Sequence, residues 1–103
     1  MIESPVVSIH IPLPLRRLVD GREEVTASGD TVADALHALE HAYPRLAGRI
    51  IRSNGQLQPA FDVYLGAMSI RAMNGVATPI EGQEVISIVP RTTRVIEGEI
   101  SVG

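Results

Sequence analysis

The chain has 103 residues and a mass of 11.1 kDa, room for one small domain and not two. It contains no cysteine, which excludes disulfide frameworks, thiolate metal sites, iron–sulfur clusters and cysteine nucleophiles. A formal charge of −3 argues against nucleic acid as the main partner, and no apolar run approaches the roughly 20 residues of a membrane helix. Met1 to Pro5 lacks the basic and apolar regions of a secretory signal, so the expected location is cytoplasmic. All nine basic residues are arginine. Without lysine there is no side-chain amine for a Schiff base and no lysine acceptor for an isopeptide bond.

Val6 to Ile11 alternates as a strand, with Val7, Ile9 and Ile11 on one face; Pro12 and Pro14 stop it because proline gives no ladder donor. Leu13, Leu15, Leu18 and Val19 form an apolar, turn-rich connection, and Asp20-Gly21 signals a turn into a second strand over Arg22 to Ala27. Thr31 is a good N-cap, with Asp34 three residues on, for a helix from Val32 to Tyr43. Val32, Leu36, Leu39 and Tyr43 make its apolar stripe, and Pro44 ends it. The spacing of Leu46 and Ile50 predicts a second short helix over Arg45 to Arg52. Ser53 to Gln56 is a turn. Ala60 to Leu65 is a strand with Phe61, Val63 and Leu65 on one face and Asp62 and Tyr64 on the other. Met68 to Arg71 is a short edge strand, Asn74-Gly75 and Glu81-Gly82 are turns, and Val85 to Val89 is the last strong strand. One amphipathic helix and one sheet predict a two-layer α+β domain whose other sheet face is open to a partner.

The constellations that carry chemistry are few. His37, Glu40 and His41 spell H-x-x-E-H, a pattern in which two imidazoles on one helix face share a zinc ion and the glutamate polarises its water. Here both histidines lie opposite the apolar stripe, the domain is too small for a peptidase cleft, and the trio reads as a solvated helix face. No serine stands in a G-x-S-x-G context, no glycine-rich loop cradles phosphate, and Arg16-Arg17 is too short a basic run for nucleic acid. No catalytic residue, metal site or cofactor is therefore expected of the chain itself.

Three stretches together resemble the MoaD/ThiS family of ubiquitin-like sulfur carriers. They are Val7 to Arg16 with its I-P-L-P-L-R turn; Gly29-Asp30-Thr31-Val32 through Leu39 to Tyr43-Pro44; and Phe61 to Leu65 through Ile70-Arg71, Thr78-Pro79-Ile80 and Gly82 to Pro90. The resemblance spans residues 6–90. It implies a β-grasp fold, with a mixed sheet of four to five strands packed on one main helix, over a domain of residues 1–90 followed by an extended tail of residues 91–103. It further implies a carrier rather than an enzyme. In the family an activating enzyme adenylates the C-terminal carboxylate, and sulfur transfer yields a thiocarboxylate. The implied partners are that activating enzyme and a sulfur-acceptor enzyme or synthase large subunit, with ATP and magnesium belonging to the activating partner.

The sequence departs from the family where the chemistry resides. Members end in Gly-Gly, whose lack of Cβ lets a tail thread a narrow channel; this chain has no Gly-Gly, and Arg94-Val95 stands where the pair would fall. It has Gly66-Ala67 where the family often has Asn-Gly, and Gln83 to Val89 is one residue longer than usual, which predicts a bulge. The acylation candidate is Gly103, preceded by the β-branched Val102. Tyr64 on the open face, with Arg91 and Arg94 near the tail, are the partner-binding candidates. A second reading is a non-carrier β-grasp module. Its tail, strand-like over Thr92 to Ile96 and Glu99 to Val102, would dock on a partner or join copies into a homo-oligomer by pairing with a sheet edge. The receiving pathway is not written in these residues.

Overall fold

The computed structural model describes residues 5–81 and 84–91. The strands are β1 (Val6–His10), β2 (Glu24–Ser28), β3 (Phe61–Leu65), β4 (Met68–Ser69) and β5 (Val85–Pro90), with one α-helix, α1 (Val32–Ala42). They form a mixed sheet in the order β2-β1-β5-β3-β4. β1 is antiparallel to β2 and parallel to β5, and β5 is antiparallel to β3. The central strand is thus the last one in sequence.

Alternation holds for β1 and β3, with Phe61 only half-buried at the edge of the core. Val7 and Ile9 of β1, Val63 and Leu65 of β3, and Ile86 and Ile88 of β5 are buried against Val32, Ala35, Leu36 and Leu39 of α1. Tyr43 is only half-buried, at the helix C-cap. The Asp20-Gly21 turn is present, with both residues at positive φ (59° and 77°), the conformation that Asp-Gly tolerates best. β2 begins at Glu24, two residues after its expected start at Arg22, and the Ile11 N–H to Glu23 C=O bond at 2.8 Å continues the β1–β2 register by one pair.

Three elements differ from the sequence expectation. The connection over Leu13–Val19 is a seven-residue 3₁₀ helix that buries Leu15, Leu18 and Val19. The second helix is not a helix: a single 3₁₀ turn, Pro44–Leu46, is followed by Gly48 at φ +79°, which breaks any helical continuation. Leu46 and Ile50 are nonetheless fully buried, so their spacing of four comes from a folded loop. The strand expected over Met68 to Arg71 ends at Ser69, and Ile70–Ala72 turns away as 3₁₀ helix. Both ladders of β5 run in unbroken register, so no bulge interrupts Val85 to Val89; Gln83, the first residue of the stretch expected to hold it, lies outside the described residues.

Candidate functional site

Outward-facing residues build one surface across the sheet. Strand pairing aligns Glu24, His10, Ser87, Tyr64 and Ser69 in a single row running from edge to edge. Tyr64 therefore stands between two serines, whose short side chains leave its half-buried ring on the open face. Beside the row, Val6 (63% exposed), Val85 (40%) and Val89 (39%) give the same face apolar area. A face that sets exposed valines beside a polar row with a tyrosine at its centre has the mixed composition of a protein-binding surface.

Asp62, next to Val89 in register, organises one corner of this face. Its Oδ1 accepts bonds from Ser69 Oγ and Arg71 Nε, both at 3.3 Å, and from Val63 N–H at 2.9 Å. The sequence singled out Ile70-Arg71 as a motif but not this role. Asp62 on the polar side of β3 and a basic residue nine positions later were the available signal.

The chain leaves the sheet from its centre. Pro90 pairs with Phe61, and Arg91 N–H donates to Ala60 C=O at 2.8 Å, so the backbone is held up to Arg91, whose side chain is exposed. Because β5 lies between β1 and β3, whatever follows Arg91 starts from the middle of one end of the domain. Arg94, Gly103 and the two strand-like stretches of the tail lie outside the described residues.

The H-x-x-E-H trio is a structural device. His37 Nδ1 lies 4.0 Å from Glu40 Oε1, while Glu40 Oε2 accepts the Ile51 N–H at 3.4 Å. The glutamate, its side chain only 12% exposed, ties the 44–58 loop to the helix instead of facing water with the histidines. Among the described residues no group of three or more histidine or acidic side chains is arranged to hold a metal ion. No helix among them is long and apolar enough to cross a membrane.

The end of α1 nearest Gly29 explains two further motifs. The Thr31 Oγ1 accepts the Asp34 N–H at 3.2 Å, the expected cap. Thr78 C=O accepts the Val32 N–H at 3.0 Å, and Ile80 N–H donates to Asp30 C=O at 2.9 Å. The Thr78-Pro79-Ile80 segment thus splints the helix start, with the buried Thr78 hydroxyl donating to Gly75 C=O at 2.7 Å and accepting from Asn74 N–H at 3.0 Å.

A five-stranded mixed sheet with its last strand central, one crossing helix and a chain end leaving from the sheet centre defines a ubiquitin-like β-grasp protein. The sulfur carrier protein CysO of Mycobacterium tuberculosis is 31% identical over 86 residues, covering 82% of this chain and 92% of that protein. The crystal structure of that CysO superposes with a TM-score of 0.77 over 84% of this chain and 99% of its own. CysO in the Amycolatopsis orientalis BexX/CysO complex gives 0.79 at 22% identity over 86% and 99%, a likeness of fold. The small archaeal modifier protein 3 of Haloferax volcanii is 33% identical over 60 residues, 58% of this chain and 64% of that protein. No protein-family model matches the chain. The chain belongs to the MoaD/ThiS family of ubiquitin-like sulfur carriers.

Proposed function

We propose that this protein carries sulfur on the C-terminal carboxylate of Gly103 and acts with partner enzymes, not as an enzyme by itself. An activating enzyme joins the carboxylate to AMP from ATP, releasing pyrophosphate. A hydrosulfide equivalent then attacks the carbonyl carbon and AMP leaves, giving the thiocarboxylate. The observation that carries the reading is the 31% identity to a sulfur carrier across 92% of that carrier's length. The central exit of the chain at Arg91 supports it, since residues 92–103 extended span up to about 40 Å, enough to reach a nucleotide in a partner's cleft. The open face around Tyr64, with Arg91 and Arg94 beside the tail, is the surface we assign to the activating and sulfur-accepting partners. A non-carrier module is the weaker reading, because the curated relatives named above are a sulfur carrier and a modifier protein.

Intact mass of the untagged protein from its native host tests this. The expected result is a form in which one oxygen has been replaced by sulfur, located to Gly103 by fragmentation and absent when Gly103 is deleted. Thiocarboxylate formation that persists after that deletion, or a mass unchanged after incubation with the activating enzyme, ATP and sulfide, overturns it.

A further inference from the structure

The two edges of the sheet are unlike. β4 is two residues long and turns at once into 3₁₀ helix, so it offers little to pair with. β2 runs for five residues without proline, and its ladder to β1 is regular from Glu24 to Ser28. Its outer hydrogen-bonding groups can be assigned. Ile11 N–H bonds Glu23 C=O at one end of that ladder and Gly29 N–H bonds Pro5 C=O at the other, at 2.8 and 3.1 Å. Antiparallel pairs alternate, so Val25 and Ala27 also exchange their bonds with β1, and Glu24, Thr26 and Ser28 direct N–H and C=O outward. Among the described residues these outward groups have no backbone partner. The space beside them is open: Arg22, Glu24, Val25, Thr26, Ala42 and Tyr43 line a groove of mixed polarity between β2 and the end of α1. Sheet edges are blunted by shortness, lysine, proline or a bulge. β4 is blunted in this way and β2 is not.

We infer that β2 pairs antiparallel with β2 of a second copy of the chain, joining the two sheets into one. Full overlap of the five residues places Thr26 opposite Thr26 of the second copy, on a two-fold axis, and Glu24 opposite Ser28. These are the residues whose N–H and C=O point outward, so this register satisfies all of those groups at once. On the inner face the partly buried Val25 meets Ala27 of the second copy. Charge supports the same register. Continued two residues beyond the strand, it sets the exposed Arg22 against the exposed Asp30 of the second copy, and symmetry repeats the contact. Neither side chain has an ion-pair partner among the described residues. No like charges stand directly opposite each other. Because β2 begins at the end where β5 finishes, antiparallel pairing sends the two Arg91 residues to opposite ends of the joined sheet. The chain exits stay apart, and the pairing stands whether or not the chain carries sulfur. Two short edges make a small interface, so the dimer is transient and fills with concentration.

Light scattering on the full chain across a concentration series tests it. The mass is expected to rise from the 11.1 kDa of one chain toward twice that as concentration approaches about 1 mM. The outward N–H groups of Glu24, Thr26 and Ser28 are expected to exchange more slowly only where the dimer is populated. Arg22→Glu and Asp30→Arg each set like charges opposite each other at both contacts. Each is expected to raise the dissociation constant about tenfold, and the two together to restore it. Thr26→Pro removes an outward N–H and none that serves β1, and is expected to abolish the dimer while the Ile9 and Ile86 amides stay protected. A one-chain mass at every concentration overturns the inference. So does a dimer indifferent to these substitutions, or a charge swap that fails to restore it. Edge protection that is independent of concentration also overturns it, because the edge would then be covered by the same chain.

Discussion

The two ends of α1 are anchored by different means. At its start, polar backbone groups are matched one by one: Thr31 caps Asp34, Thr78 C=O takes the Val32 N–H, and Gly29 passes so close to the first turn that no side chain fits. Beyond its end, the 44–58 loop has almost no regular structure and is held by apolar burial. Leu46 and Ile50 are fully buried and Ile51 nearly so. Glu40 ties the loop back to the helix, and Ile50 C=O accepts the Gln58 N–H at 2.8 Å. One end is fixed by hydrogen-bond geometry and steric fit, the other by hydrophobic contact, and the two respond differently to substitution.

The largest effect should come at the apolar end. Ile50→Ala removes a fully buried side chain from an irregular loop and should destabilise by about 2–5 kcal/mol, read from chemical unfolding. The adjacent exposed Arg49→Ala should stay within about 0.5 kcal/mol of the parent. If Ile50→Ala is as mild as Arg49→Ala, the loop collapses around the gap and the proposed contrast fails.

At the polar end, Gly29→Ala should destabilise by about 1–3 kcal/mol. The added Cβ would lie 2.6 Å from Ala35 N and 2.7 Å from Asp34 Cβ. Helix backbone cannot give way cheaply, so relief requires the whole N-terminal turn to shift. Slower-exchanging amides at Val32 and Ile80 should lose protection first, because both bond across the same junction. A Gly29→Ala protein as stable as the parent would mean that the junction is loose.

The same contrast explains what was legible in the sequence. The helix start was readable because its signals are local: a glycine, a capping hydroxyl and an apolar period within twelve residues. The loop was misread as a helix because Leu46 and Ile50 obey the helical spacing, and Gly48, the residue that breaks it, was given no weight. For the site, alternation alone put Tyr64 on the open face. Its row with His10, Ser87 and Ser69 was invisible because those neighbours come from three other strands whose order is set by long-range pairing. The role of Asp62 as hub for Ser69 and Arg71 was missed for the same reason, and the role of Glu40 was hidden by a motif that pointed to metal.

The smallest effect sharpens the comparison most. Thr31→Ala removes the hydroxyl that accepts the Asp34 N–H, at a cost of about 1 kcal/mol. Thr31→Ser keeps the oxygen and should recover most of that. Because Thr78 C=O satisfies the Val32 N–H independently, the helix start has two anchors, and loss of one should fray the first turn without releasing it. Amide exchange should therefore quicken at Asp34 while Val32 stays protected. If both quicken equally, the cap and the Thr78 splint form one cooperative unit, and the polar end is not anchored twice over.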